Sequence, residues 1–165
     1  MGGGVQSHLG AYAMKINIIA IGKLKERYFS DAVDEYIKRC SRYGDVRIVE
    51  LPDAPPSKTA DEQKRIESAA LLDKAKGYIV AMDGRGEQIT SEGLAALIST
   101  KGVEGAKEIS FLIGGSHGHT DELRARADKI ISFGKITLPH QLFRVILSEQ
   151  IYRALTINAG TPYNK

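Results

Sequence analysis

The sequence predicts a doubly wound α/β domain built on a largely parallel sheet. From Met14 onward, short and almost wholly apolar runs alternate with longer amphipathic ones, the order in which strands and crossover helices follow one another. The apolar runs, INIIAI above all, lack polar alternation. They therefore require cover on both faces, which a parallel sheet between two helix layers provides. A chain of 165 residues with 42% hydrophobic and 26% charged residues has the balance of one compact domain, burying roughly 70% of its unfolded surface without disulfide or metal. No internal repeat or linker divides it, so residues 14–165 are read as a single domain. Residues 1–13, MGGGVQSHLGAYA, precede a second methionine and carry neither charge nor periodicity, and they are read as an expression leader outside the fold.

Five strands are expected: Lys15 to Gly22, Val46 to Leu51, Tyr78 to Asp83, Ile109 to Gly115 and Lys129 to Phe133. The first helix is expected over Arg27 to Tyr43, where Phe29, Val33, Tyr36, Ile37 and Cys40 recur at helical spacing before Gly44. Three prolines make PDAPPSKT a loop. Thr59 with Glu62 three positions on then forms a capping box for a helix over Ala60 to Lys76. Thr90 or Ser91 caps a short helix carrying Leu94, Leu97 and Ile98, and Thr120 caps another over Asp121 to Ala127. The longest helix, Gln141 to Asn158, closes the domain.

No run of about 20 apolar residues is present to span a bilayer and no signal peptide opens the chain, so a cytoplasmic protein is expected. The single cysteine, Cys40, falls on the apolar stripe of the first helix and is read as inert packing. Net charge is +3 with pI near 8.9, which permits an RNA partner without demanding one. Lys23, Lys25, Arg27, Lys38, Arg39 and Arg42 cluster early, but Glu26, Asp31, Asp34 and Glu35 interleave with them, as on a solvated helix face.

Parallel sheets bind ligands beyond the carboxyl ends of their strands, which directs attention to MDGRGE (Met82 to Glu87), LIGGSHG (Leu112 to Gly118) and SFGKITLPH (Ser132 to His140). In the second, Gly114 and Gly115 let backbone approach a ligand without an intervening Cβ. The pattern is neither G-x-G-x-x-G nor a P-loop, so ordinary dinucleotide or triphosphate binding is not signalled. In the third, Ile136 and Leu138 are apolar in a loop and Pro139 stiffens it before a helix. Buried backbone is expected there, bonded within the protein or to a ligand such as an adenine. His117, His119 and His140 lack a cysteine or carboxylate at metal-ligand spacing, so no metal is expected. Nucleophile elbow, C-x-x-C and HExxH motifs are also missing from the sequence.

Taken together, IAIGKLKERYF, LIGGSHG, SFGKITLPHQLFRVILSEQIYRA and the ending TPYNK resemble the RlmH family of SPOUT-class ribosomal RNA methyltransferases, over essentially Met14 to Lys165. The resemblance implies an α/β fold threaded as a C-terminal trefoil knot. It also implies S-adenosylmethionine as donor and N3 of a pseudouridine in the large-subunit ribosomal RNA as acceptor, on assembled ribosomes. Carried over by position, the donor pocket comprises Met82, Gly114, Phe133, Gly134, Lys135, Ile136, Thr137 and Leu138. His140, Arg144 and Tyr163 are the catalytic candidates, with Arg144 able to stabilise an N3 anion or grip a phosphate. Plainer readings are a locally bonded His140, a helix ion pair of Arg144 with Glu149, and packing of Tyr152 at an interface.

The family's tail commonly places histidine after the tyrosine, whereas Asn164 follows Tyr163 here, which leaves open whether His140 or solvent takes the proton. A homodimer is expected. Leu142, Val145, Ile146, Leu147, Ile151, Leu155 and Ile157 cover more than one face of the last helix, more than a monomer's outer helix should expose. The rival readings are a knotted ribosome-binding module that has lost catalysis and a flavodoxin-like small-ligand protein.

Overall fold

The computed structural model describes residues 14–165; the leader reading for residues 1–13 lies outside the described residues. The chain runs β1 (Lys15–Ile21), α1 (Arg27–Cys40), β2 (Asp45–Leu51), α2 (Ala60–Lys74), β3 (Tyr78–Gln88), α3 (Ser91–Val103), β4 (Glu108–Ile113), α4 (Asp121–Arg126), β5 (Lys129–Ser132) and α5 (His140–Ala159). The sheet has the order β2-β1-β4-β3-β5, and every pairing is parallel.

The unbroken apolarity of β1 reflects its cover on both sides. Ile16, Ile18 and Ala20 join the larger core, with Leu94, Phe111, Leu147 and Ile151. Ile19 and Ile21 point the other way, to Leu71, Leu112 and Leu123. The first layer thus takes residues of α1, α3 and α5 and the second those of α2 and α4. Full burial of an Ile or Phe such as Ile18 or Phe111 contributes about 1.5–3 kcal/mol relative to exposure.

The expected caps form. Thr59 and Glu62 make a reciprocal capping box on α2, and the hydroxyls of Thr90 and Thr120 accept from Gly93 and Leu123 N–H groups. Cys40 is fully buried, and desolvation pushes its thiol up to about 12. Among the described residues no helix is long and apolar enough to cross a membrane.

Most element ends lie one to three residues from the sequence reading, and the differences in β3 and β4 bear on the site. β3 runs on through residues 83–86, which bulge out of register so that Met82 and Glu87 both lie opposite Ile131 of β5. Gly86 permits this, because a Cβ there would stand 2.6 Å from the Ile130 carbonyl. β4, by contrast, ends at Ile113, and the chain turns through Gly115 and Gly118, the latter at φ +77°, which favours glycine.

The basic cluster also divides. Arg39 pairs with Glu35 and lies over the Tyr36 and Tyr152 rings near the end of α1, whereas Lys23 and Lys25 are exposed at the carboxyl end of β1.

Candidate donor site

Beyond the carboxyl ends of β3, β4 and β5 lies a cavity of about 580 Å³. Three walls form it, each from one of the turns singled out in the sequence. Met82 to Arg85 come from β3, Gly114, Gly115, Ser116, Gly118 and His119 from the turn after β4, and Phe133 to Leu138 from the loop after β5. Ile113, Ile131 and Phe143 add apolar surface, and Phe133 and Phe143 pack with ring centroids 5.3 Å apart. All eight residues expected in a donor pocket line this one cavity, together with His140 at the start of α5.

The glycine wall is close-packed from behind. A Cβ on Gly114 would lie 3.2 Å from the Gly118 carbonyl and from His119 Cε1, so any side chain there must displace the turn. His119 is buried, and its Nε2 lies 3.2 Å from the Leu112 carbonyl. That acceptor requires Nε2 to carry the proton, which leaves Nδ1 as an acceptor without a partner among the described residues. Burial lowers the imidazole's pKa, and this outweighs the opposing pull of Leu112, Asp83 and Met82.

His119 is therefore held neutral, while the unfolded chain protonates below about 6.5. Its stabilising contribution is complete above that pH and is lost as pH falls. Urea unfolding is expected to show lower stability at pH 5.5 than at pH 7.5, by at most about 1.4 kcal/mol per pH unit from this group. His119→Gln should flatten the dependence; an equally steep profile in that variant would remove His119 from the explanation.

At the cavity's edge Asp83 accepts from the backbone N–H of Arg85 at 3.0 Å and from its guanidinium at 3.2 Å, with Arg124 at 3.6 Å. Burial alone would raise the Asp83 carboxyl, but the Arg85 hydrogen bonds outweigh it and hold the group below the usual carboxylate range. Asp83 is not among the residues singled out by the sequence, although an acid at the end of an apolar strand run is a recognisable signal, and His119 stands out there only as a metal-ligand type. Among the described residues no group of three or more His, Cys, Asp or Glu could hold an ion.

The loop after β5 departs from expectation. Gly134, at φ +123°, is held by reciprocal hydrogen bonds with the Ser132 hydroxyl, but Lys135, Ile136 and Thr137 are exposed, Ile136 by 83%. The protein's own residues do not bury this backbone. The apolar side chains stand over the cavity instead.

The catalytic candidates are not brought together within the chain. His140 lines the cavity, whereas Arg144 is fully buried and outside the lining. The guanidinium of Arg144 pairs with Glu50 at 2.8 Å and donates to the carbonyls of Ile21 and Gly22 at 3.2 and 3.0 Å. It does not pair with Glu149, because Glu149 bonds Arg153 at 2.7 Å and the Tyr163 hydroxyl at 3.1 Å. Tyr163 lies outside the cavity lining, edge-on to Tyr152 at 4.7 Å. Burial and the Glu149 hydrogen bond raise its phenol above the ordinary value, and its hydroxyl donates to Glu149. Asn164 accepts from Arg153 and donates to Glu92.

With this geometry in view, comparison with known proteins places the chain. Residues 14–164 match the family described as predicted SPOUT methyltransferase, and the chain belongs to that family. Within it, the chain is 50% identical to the ribosomal RNA large subunit methyltransferase H of Lactobacillus acidophilus, covering 92% of this chain and 100% of the relative. Proteins of the same name from Lactobacillus johnsonii and Clostridium perfringens are 46% and 45% identical over the same shares. A solved structure, the SpoU methyltransferase AviRb of Streptomyces viridochromogenes with the cofactor AdoMet, matches at TM-score 0.43 and 10% identity. That match spans 91% of this chain and 59% of that one.

Proposed function

We propose that residues 14–165 form one methyltransferase domain that uses S-adenosylmethionine to methylate N3 of a pseudouridine in 23S ribosomal RNA, on assembled large subunits or 70S ribosomes. The observation that carries this reading is the convergence of Met82, Gly114 and the 133–138 loop on a single cavity, in a chain half identical to an enzyme named for methylating large-subunit RNA. The donor fits these residues. Gly114 presents backbone at the wall while its missing Cβ lets the turn pack on Gly118 and His119, and Ile113, Ile131, Phe133 and Leu138 offer an apolar bed for an adenine.

When bound, S-adenosylmethionine supplies an activated methyl group for in-line transfer. The chain's part is to hold and orient. The glycine wall and the 133–138 loop bind the donor, and Ile136 and Leu138 close over it and exclude water. The imidazole of His140, at the cavity, accepts the proton of the weakly acidic N3–H. Arg144 serves by position: its bonds to Glu50, Ile21 and Gly22 tie the first turn of α5, and with it His140, to the end of β1. The return of the chain from edge strand β5 to that point, reinforced by Gln141 accepting from Lys25 N–H at 3.4 Å, supports threading as a knot. Lys23 and Lys25, exposed beside it, supply phosphate contacts.

Tyr163 serves a partner's cavity rather than its own, within a homodimer formed through α5. Leu142, Val145, Ile146, Leu155 and Ile157 are only half-buried on that helix, which supports a second copy as their cover. Sedimentation is expected to show a dimer at micromolar concentration. Mixing an inactive Gly114→Val chain with an inactive chain truncated before Pro162 should restore part of the activity; inactive hybrids despite subunit exchange would refute the shared site.

Labelled methyl transfer tests the function itself. With a +3 chain offering few phosphate contacts, large subunits should be methylated far faster than naked RNA. Equal rates would contradict the requirement for assembled ribosomes. A ribosome-binding module without catalysis is not favoured, since both donor loops remain in place around the cavity. Action on ribosomes is in keeping with a cytoplasmic location.

A further inference from the structure

Glu67, in the middle of α2, is only 5% exposed. One carboxylate oxygen accepts from the buried Ala54 N–H at 2.9 Å, and the other has no partner among the described residues. A buried carboxylate with one hydrogen bond and no counter-ion is expensive to keep. A glutamine would fill the same space and still accept from Ala54.

The free oxygen is aimed at the donor wall. A Cβ added to Gly115 would stand 2.6 Å from it, so the carboxylate sits directly behind the glycine whose backbone lines the cavity. Among the charged side chains of the lining itself, Asp83 is bracketed by Arg85 and Arg124, and Lys135 is exposed. Arg85 and Lys135 against Asp83 leave that lining net positive, which is unfavourable for a cationic ligand.

We infer that Glu67 is a specificity-determining residue: acting across Gly115, it supplies the negative charge that lets this cavity take a cationic sulfonium donor and favours that donor over uncharged thioether adenosines. The inference rests on the donor reading above. It requires no contact between Glu67 and the ligand, because a charge screened only by protein acts over several ångströms. It also accounts for glycine at position 115, where any side chain would push the carboxylate away from the wall.

Calorimetry on the full chain tests it with three probes: S-adenosylmethionine, its demethylated product S-adenosylhomocysteine, and 5′-methylthioadenosine, which lacks both the sulfonium and the amino-acid charges. Glu67→Gln should weaken S-adenosylmethionine about tenfold, S-adenosylhomocysteine less, and 5′-methylthioadenosine by less than about twofold. Glu67→Asp, which keeps the charge but not the reach to Ala54, should retain the wild-type preference for S-adenosylmethionine over 5′-methylthioadenosine. Should the glutamine variant not fold, that preference in the aspartate variant decides the matter, and its loss would count against the inference. Equal weakening of all three probes by Glu67→Gln would mean that Glu67 only braces the loop, and an unchanged S-adenosylmethionine affinity would mean that its charge is irrelevant; either overturns the inference. A wild-type chain that binds none of the three overturns the donor reading, and this inference with it.

Discussion

Replacing Gly114 with valine is expected to abolish donor binding while leaving the domain folded. A single Cβ at this position would already stand 3.2 Å from the Gly118 carbonyl and from His119 Cε1, so the two methyl groups of valine must move the turn that forms one cavity wall. Gly114 does not sit at positive φ, hence the backbone tolerates the change. The structural cost is that of local overpacking, about 1–3 kcal/mol, which a domain of ordinary stability survives. Calorimetry should show affinity lowered at least a hundredfold, about 2.7 kcal/mol, with alanine intermediate. An unchanged affinity for the valine variant would take Gly114 out of the site.

The second large effect is expected at Arg144, and it is one of stability. Arg144→Met removes the pair with Glu50 and leaves the Ile21 and Gly22 carbonyls without their donor at the end of β1. Because Glu50 is 36% exposed and keeps the Leu24 N–H bond at 2.9 Å, water recovers part of the loss. About 3 kcal/mol should remain, roughly 6–12 °C in the melting temperature of a chain this size. Glu50→Gln should lose less, since an amide oxygen still accepts. Thermal unfolding at neutral pH separates this role from a chemical one: if the melting temperature held and only methyl transfer fell, Arg144 would act on the substrate rather than on the fold.

Much of the fold and the cavity could be read from sequence because the determinants are local. Apolarity on both faces of INIIAI marks a strand covered twice, and Thr59, Thr90 and Thr120 each sit one residue ahead of the helix they cap. The glycine and apolar turns reach one cavity because they follow neighbouring strands β3, β4 and β5.

What could not be read depends on distant partners. Arg144 meets Glu50 from 94 positions away, so its helical neighbour Glu149 was the natural but mistaken partner. The continuation of β3 past its bulge depends on the close approach of Gly86 to Ile130 of β5, and the burial of Glu67 and His119 depends on elements packed from both sides. The tail is the clearest case. Tyr163 resembles a site residue by position, yet within the chain it rests on Glu149 and Tyr152, outside the cavity lining.

The most direct test of the central claim is mass-spectrometric mapping of 23S ribosomal RNA from large subunits lacking this methylation, before and after incubation with the protein and S-adenosylmethionine. A single new methyl group is expected, on N3 of one pseudouridine, present with the wild-type chain and missing with Gly114→Val. No new methylation by the wild-type chain, or a methyl group on a ribose or on another base, would contradict it.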